Sequence, residues 1–127
     1  MKLNHLDLHV PDVAETSAFF QRYFGFALID TRAKGGLAIL SDGDGMELVL
    51  SHAIAAFGSA DQSERKTVSY HIGFIVEERE EVDRVFKAMG EDGLEVQAPR
   101  AMRGGYLFYC TAPGHILVEV GARALFG

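Results

Sequence analysis

The sequence predicts an α+β fold built from two copies of a strand–helix–three-strand module. A histidine and then a glutamate recur in the same order inside short apolar runs, first His5 and Glu47 and then His71 and Glu119. The order of strands and helix also restarts after a polar stretch at 53–68, as expected for an internal repeat. Because neither module buries its sheet alone, we expect a single two-module domain.

The first module, at about 1–52, begins with residues 2–10, which alternate between an apolar and a polar face. This period of two is typical of a half-buried strand. Asp12 is a suitable N-cap for a helix that runs to about Phe24, and Gly25 stops it. Three further strands are expected at 26–30, 37–41 and 46–51.

The second module, at about 69–122, repeats this order after the linker at 53–68. A strand is expected at 69–76 and a helix at 78–89. Apolar residues at helical spacing predict the core positions of that helix, which are Val82, Val85, Phe86 and Met89. The last three strands are expected at 94–97, 106–111 and 116–121.

Composition and charge exclude several functions. The 127 residues carry a formal net charge of −6 without a cluster of Lys and Arg, so nucleic acid is not an expected partner. The one cysteine, Cys110, lies in an apolar run, where we expect a buried hydrophobic side chain in a protein of the reducing cytosol. We find neither an apolar stretch long enough to span a bilayer nor a signal peptide, so a cytoplasmic protein is expected.

Four strings of residues, in order, resemble the vicinal oxygen chelate superfamily, which includes glyoxalase I, fosfomycin-resistance and bleomycin-resistance proteins and extradiol dioxygenases. The resemblance covers 2–121. The strings are His-Leu-Asp-Leu-His-Val-Pro-Asp-Val, Phe-Gly-Phe, Tyr-His-Ile-Gly-Phe-Ile-Val and Ala-Pro-Gly-His-Ile-Leu-Val-Glu-Val. The chain departs from the family in its closing turn, with Ala112 in place of a usual Asp and His115 where a second Gly is common. The resemblance implies paired βαβββ modules that form a cupped, mostly antiparallel eight-stranded sheet.

In this family the metal ligands come from the first and last strand of each module. The resemblance therefore implies a divalent metal ion, Fe, Mn, Ni or Zn, held by His5, Glu47, His71 and Glu119, four residues at equivalent positions of the two modules. Strand alternation agrees, because each of the four points away from the bulkier apolar face of its strand. Two imidazoles and two carboxylates suit such metals and leave positions open for substrate oxygens.

Such a site would bind a substrate through two neighbouring oxygens and stabilise an enolate or alkoxide. The resemblance favours a glyoxalase-like lyase or isomerase, in which Glu47 or Glu119 moves a proton and the Tyr109 phenol donates to an oxyanion. A dioxygenase acting on a catechol and a fosfomycin-like enzyme acting on an epoxide remain open. The alternative is a metal-free protein that sequesters a small molecule, as bleomycin-resistance proteins do. A homodimer is also implied, because modules of this family often pair between chains.

Other polar residues are weaker candidates. Arg100 and Arg103 could meet an anionic substrate, although surface arginines are common. Asp7 and His9 share the polar face of the first strand and could support the ligands. Two further histidines lie at strand ends and are expected to be solvated, namely His52 and His115.

Overall fold

The computed structural model describes residues 1–52 and 70–123, so the predicted linker at 53–68 lies outside the described residues. The described residues contain two α-helices and eight strands in two four-stranded sheets, which confirms the predicted fold class. They form two compact units. The first contains 1–52 together with Ala112–His115, and the second contains the remaining described residues from 70 onwards. No helix in the described segments is both long enough and apolar enough to cross a membrane.

The first unit contains one helix and one mixed sheet. Strand β1 runs parallel to β4, and β3 lies antiparallel between β4 and the edge strand β2, in the order β1-β4-β3-β2. A 3₁₀ turn at Ala33–Gly35 connects β2 to β3. The elements are β1 (His5–His9), α1 (Val13–Phe24), β2 (Ala27–Arg32), β3 (Leu37–Ser41) and β4 (Glu47–Ser51).

Both ends of helix α1 form as the sequence predicts. The Asp12 side chain accepts a hydrogen bond from the Glu15 backbone N–H at 2.9 Å, which satisfies a donor that the first helical turn leaves unpaired. The chain leaves the helix at Gly25, where φ is +69°, a left-handed conformation that glycine adopts without steric cost.

Phe20 is the centre of the core of the first unit. Its side chain is fully buried, and its ring lies 5.3 Å from that of Phe19, 5.8 Å from that of Phe24 and 6.1 Å from that of Phe26. These separations are those of interacting aromatic pairs. In β3 and β4 alternate residues are buried, and the opposite face carries the half-buried apolar residues Ile39 and Val49 beside the polar residues Ser41 and Glu47.

The second unit has the same kinds of elements in the same order. Its strands are arranged β5-β8-β7-β6, with β5 parallel to β8 and β6 antiparallel to β7. The predicted core positions of its helix are buried or half-buried. The elements are β5 (His71–Val76), α2 (Arg79–Glu91), β6 (Arg100–Met102), β7 (Gly105–Ala112) and β8 (Ile116–Arg123).

The prediction of a strand at 94–97 was wrong. In this part of the chain the strand is β6, at Arg100–Met102. Its register is set by a two-residue hairpin turn, because Met102 pairs with Gly105 and Arg100 pairs with Leu107. Pro99 precedes the first paired residue and has no N–H to donate, so the ladder has no continuation into 94–97. The apolar pattern of 94–97 thus gave no information on hydrogen-bonding partners.

The turn at Ala112–His115 is part of the first unit and contacts residues of that unit. Gly114 has φ +86° and lies against Val10, because a Cβ at this position would come within 3.0 Å of the Val10 side chain. The Thr16 hydroxyl donates to the Pro113 carbonyl at 3.5 Å. His115 has φ +63°, which agrees with the family's preference for glycine at this position.

We predict that Asp12→Ala lowers the free energy of unfolding by about 1 kcal/mol, since it removes the N-cap acceptor of α1. Asp12→Asn keeps a side-chain oxygen at the same position and is the matched control, expected to stay close to the wild type. Urea unfolding followed by circular dichroism measures both. An equal loss of stability in the two variants would show that the cap hydrogen bond is unimportant.

Candidate metal centre

Strands β5 and β8 place His71 and Glu119 on the same face of the second sheet. In the parallel register His71 lies opposite Leu117 and Gly73 lies opposite Glu119, so the His and the Glu are diagonal neighbours. Gly73 has no side chain, and a Cβ there would contact Glu119 Oε2 at 3.5 Å. The absent side chain leaves the space beside the carboxylate open.

The Glu119 carboxylate is buried and held by a phenol. The residue is only 4% exposed, and the Tyr109 hydroxyl of β7 donates to its Oε1 at 2.9 Å. His71 Nε2 lies 3.9 Å from the same oxygen, and the His71 ring meets the Tyr109 ring edge-on at 5.5 Å. A buried carboxylate needs polar partners, and in this cluster it has a hydrogen bond from a phenol and an imidazole nearby.

The hydrogen bond also affects the pKa of Tyr109. Donation to Glu119, together with burial and the negative charge of that carboxylate, raises the pKa of Tyr109 above its ordinary value. The positive charges of Arg103 and Arg123 act in the opposite direction and are smaller effects. The phenol is therefore protonated at neutral pH and is the donor of its hydrogen bond to Glu119.

Strands β1 and β4 bring His5 and Glu47 together in the first unit. The two residues are direct partners in the parallel register, so they share a face on neighbouring strands about 4.8 Å apart. His5 Nδ1 lies 2.8 Å from Asn4 Oδ1. With Nδ1 protonated and donating to this oxygen, the lone pair of Nε2 is available to a metal. The sequence gave no sign of this role for Asn4.

The two half-sites differ in register, although each His lies on the first strand and each Glu on the last strand of its module. Glu47 lies directly opposite His5, whereas Glu119 lies two residues beyond the partner of His71. A shift of two residues keeps each carboxylate on the face of its histidine, because side chains alternate with a period of two. Strand alternation is therefore retained, while the repeat symmetry is not.

The other candidate residues named from the sequence lie outside the two His–Glu pairs. Asp7 accepts a hydrogen bond from the buried Ser51 hydroxyl at 2.7 Å and so ties β1 to β4 beside the first half-site. His52 is exposed, with Nδ1 3.3 Å from the Val10 carbonyl oxygen. Arg100 is exposed at the start of β6. Cys110 is buried as predicted, and burial raises the pKa of its thiol to about 12, which excludes it as a nucleophile at neutral pH.

Within the described residues of either unit, no three His, Cys, Asp or Glu side chains lie close enough together to hold a metal ion. Each unit contains one of the two predicted His–Glu pairs.

The comparison with known proteins identifies the family. Residues 2–120 match the sequence profile of the Glyoxalase/Bleomycin resistance protein/Dioxygenase superfamily. The chain belongs to this superfamily. A possible glyoxalase from Bacillus cereus is 32% identical, with a TM-score of 0.79 over 94% of this chain and 97% of that chain. No match was found among curated proteins.

Two other members of the glyoxalase superfamily show the same fold at lower identity. Lactoylglutathione lyase from Agrobacterium tumefaciens is 21% identical, with a TM-score of 0.75 over 99% of this chain and 96% of that chain. The fosfomycin resistance protein FosX from Listeria monocytogenes is also 21% identical, with a TM-score of 0.71 over 99% and 94% of the two chains. At this identity the similarity concerns the fold.

We predict that Tyr109→Phe destabilises the metal-free protein by about 1–3 kcal/mol, because the buried Glu119 carboxylate loses its hydroxyl donor. Tyr106→Phe is the matched control, since the Tyr106 hydroxyl donates to Asp83 at 2.6 Å at an exposed position. We expect a much smaller loss there. Urea unfolding in EDTA measures both, and losses of equal size would contradict a special role for the buried bond.

Proposed function

We propose that the protein is a metal-dependent enzyme that acts on a substrate with two neighbouring oxygens, and that its reaction is a glyoxalase-type lyase or isomerase reaction. Membership of the superfamily supports an enzyme of this kind. The observation that carries the proposal is the Glu119 cluster. A carboxylate that is 4% exposed, bonded to one neutral phenol and 3.9 Å from an imidazole nitrogen is suited to share a cation with that imidazole.

The dimensions of the cluster fit a divalent ion. Two ligand atoms that each lie about 2.1 Å from one metal are at most about 4.2 Å apart. The 3.9 Å between His71 Nε2 and Glu119 Oε1 is within this limit. The nitrogen and oxygen donors of His5, Glu47, His71 and Glu119 suit Fe, Mn, Ni or Zn.

A bound metal would act as a Lewis acid on the substrate oxygens. The chain's own residues would then hold and move the proton. Glu119 is anchored by the Tyr109 hydroxyl, whereas Glu47 is half-exposed at the start of β4, which favours Glu47 as the carboxylate that takes the proton from substrate. Tyr109 donates its one O–H to Glu119, so its phenol would meet a substrate oxyanion by turning that O–H from Glu119 to the oxyanion.

We predict that the wild type retains one equivalent of a divalent metal per complete site and that His71→Ala does not. His52→Ala is the matched control, because it removes an exposed imidazole outside both half-sites and is expected to retain the metal. Protein exposed to Mn, Fe, Ni and Zn is analysed by inductively coupled plasma mass spectrometry. If the wild type and His71→Ala retained equal amounts of metal, the proposed site would be refuted.

The class of reaction needs its own assay. The loaded protein is tested with methylglyoxal and glutathione, which form a hemithioacetal in solution, with a catechol and O₂, and with fosfomycin and a thiol or water, each with and without EDTA. Metal-dependent formation of the thioester supports the proposed reaction, whereas turnover of the catechol or the epoxide assigns another branch of the superfamily. Thermal stabilisation by a cationic drug but by no metal would instead indicate a metal-free binding protein.

We also propose a homodimer, because each unit holds only one His–Glu pair and modules of this superfamily often pair between chains. We predict that His5→Ala and His71→Ala each lose the metal, and that refolding them together restores about a quarter of the wild-type sites, since half of the dimers are mixed and one of their two sites is intact. Metal analysis after co-refolding measures this. If the four ligands come from one chain, mixing restores nothing.

A further inference from the structure

Asn4 stands immediately before β1, the strand that begins with His5, and it is the only asparagine of the sequence. Its backbone carbonyl accepts a hydrogen bond from the Glu47 N–H at 2.7 Å. Its side-chain oxygen, Oδ1, lies 2.8 Å from Nδ1 of His5. One residue is therefore bonded to both members of the first His–Glu pair.

The chemistry of the Asn4 side chain determines which nitrogen of His5 carries the proton. An amide carbonyl oxygen can only accept a hydrogen bond, so the contact requires a proton on Nδ1. In the neutral ring the other nitrogen, Nε2, then has no proton and keeps its lone pair. A divalent metal binds neutral imidazole through such a lone pair. The hydrogen bond thus selects Nε2 as the ligand atom of His5.

The contact between Asn4 and His5 is better suited to orienting the ring than to stabilising the fold. Both side chains are exposed, and a hydrogen bond that competes with water adds little net free energy. The backbone of Asn4 is fixed by its bond to Glu47, so its side chain starts from a defined position. The amide oxygen therefore has a fixed place from which it can hold the imidazole.

The second half-site has no residue of this kind among the described residues. The position before His71 is occupied by Tyr70, whose side chain carries no amide and which is 53% exposed. In the part of the chain that the structure describes, His71 Nε2 lies 3.9 Å from Glu119 Oε1, and no hydrogen bond fixes either nitrogen of the ring. The tautomer is thus set in advance in the first half-site and left open in the second.

We propose that Asn4 is a positioning residue that holds the His5 imidazole in its Nδ1–H tautomer, so that His5 binds a divalent metal through Nε2. This inference rests on the proposed function, because it concerns the same metal and adds a residue that does not itself touch it. Hydrogen-bond partners of this kind fix the orientation of a ligating histidine, and their loss typically weakens metal binding roughly 10- to 100-fold.

The tautomer of His5 is measured first, by long-range ¹H–¹⁵N NMR of EDTA-treated protein labelled at histidine, at about pH 8.5, where imidazoles are neutral. The spectrum of His5→Ala assigns the signals. The wild type is expected to show only the Nδ1–H form at His5, and Asn4→Ala is expected to exchange between both tautomers. Asn4→Asp keeps an acceptor oxygen and is expected to restore the Nδ1–H form. A mixture of tautomers in the wild type, or an unchanged Nδ1–H form in Asn4→Ala, overturns the proposal.

Zinc titration against a competing chromophoric chelator measures the consequence for the metal. Asn4→Ala is expected to weaken zinc binding by about tenfold or more, while Asn4→Asp stays within about threefold of the wild type. Tyr70→Ala, the matched control, removes the residue before the other histidine and is expected to leave zinc affinity within about twofold.

The Tm of the EDTA-treated variants separates positioning from folding. Asn4 is exposed, so Asn4→Ala is expected to have nearly the Tm of the wild type. Weaker zinc binding at an unchanged Tm supports the positioning role. A loss of zinc affinity that Asn4→Asp does not restore, together with a lowered Tm in both variants, would show that Asn4 is merely structural.

The failure of this inference differs from the failure of the proposed function. If the wild type and Asn4→Ala bind zinc equally well, the positioning role is refuted and the proposed enzyme is not. If the wild type keeps the Nδ1–H form but retains none of Zn, Mn, Fe or Ni, the proposed enzyme is refuted, and with it the assignment of Nε2 as a metal ligand. The control of the His5 tautomer by Asn4 would then stand alone.

Discussion

The burial of the Glu119 carboxylate is the constraint on which the second half-site depends. A charged group in the middle of a strand is costly to remove from water unless hydrogen bonds and opposite charges compensate for it. Tyr109 supplies the hydrogen bond, His71 supplies an imidazole within 3.9 Å, and Gly73 leaves space on the neighbouring strand. These residues come from three strands, so the β5-β8-β7 order of the sheet is itself a condition for the cluster.

The two modules each place a His and a Glu on one face of a sheet, but with different strand registers. Glu47 is the direct neighbour of His5 and is half-exposed, whereas Glu119 is diagonal to His71 and buried. The two modules thus carry the same residue types, while the difference in register gives the two carboxylates different surroundings.

Basic residues of the second unit lie in different surroundings. The protein is acidic overall, with a formal net charge of −6, and its helix α2 pairs Arg84 and Lys87 with its own carboxylates. Arg123 at the end of β8 is different, since its side chain packs over Gly105 and lines a groove.

The sequence by itself determined the module order, the face on which each candidate ligand lies and the cap of helix α1, because these depend on local periodicity and on single residues such as Asp12. The resemblance to a known family added the candidate ligands. Only the tertiary structure decided what depends on partners from distant segments. Strand β6 follows from its hairpin with β7 rather than from the apolar pattern at 94–97, the contact between Tyr109 and Glu119 follows from the pairing of their strands, and the unequal half-sites follow from a register that no local pattern encodes.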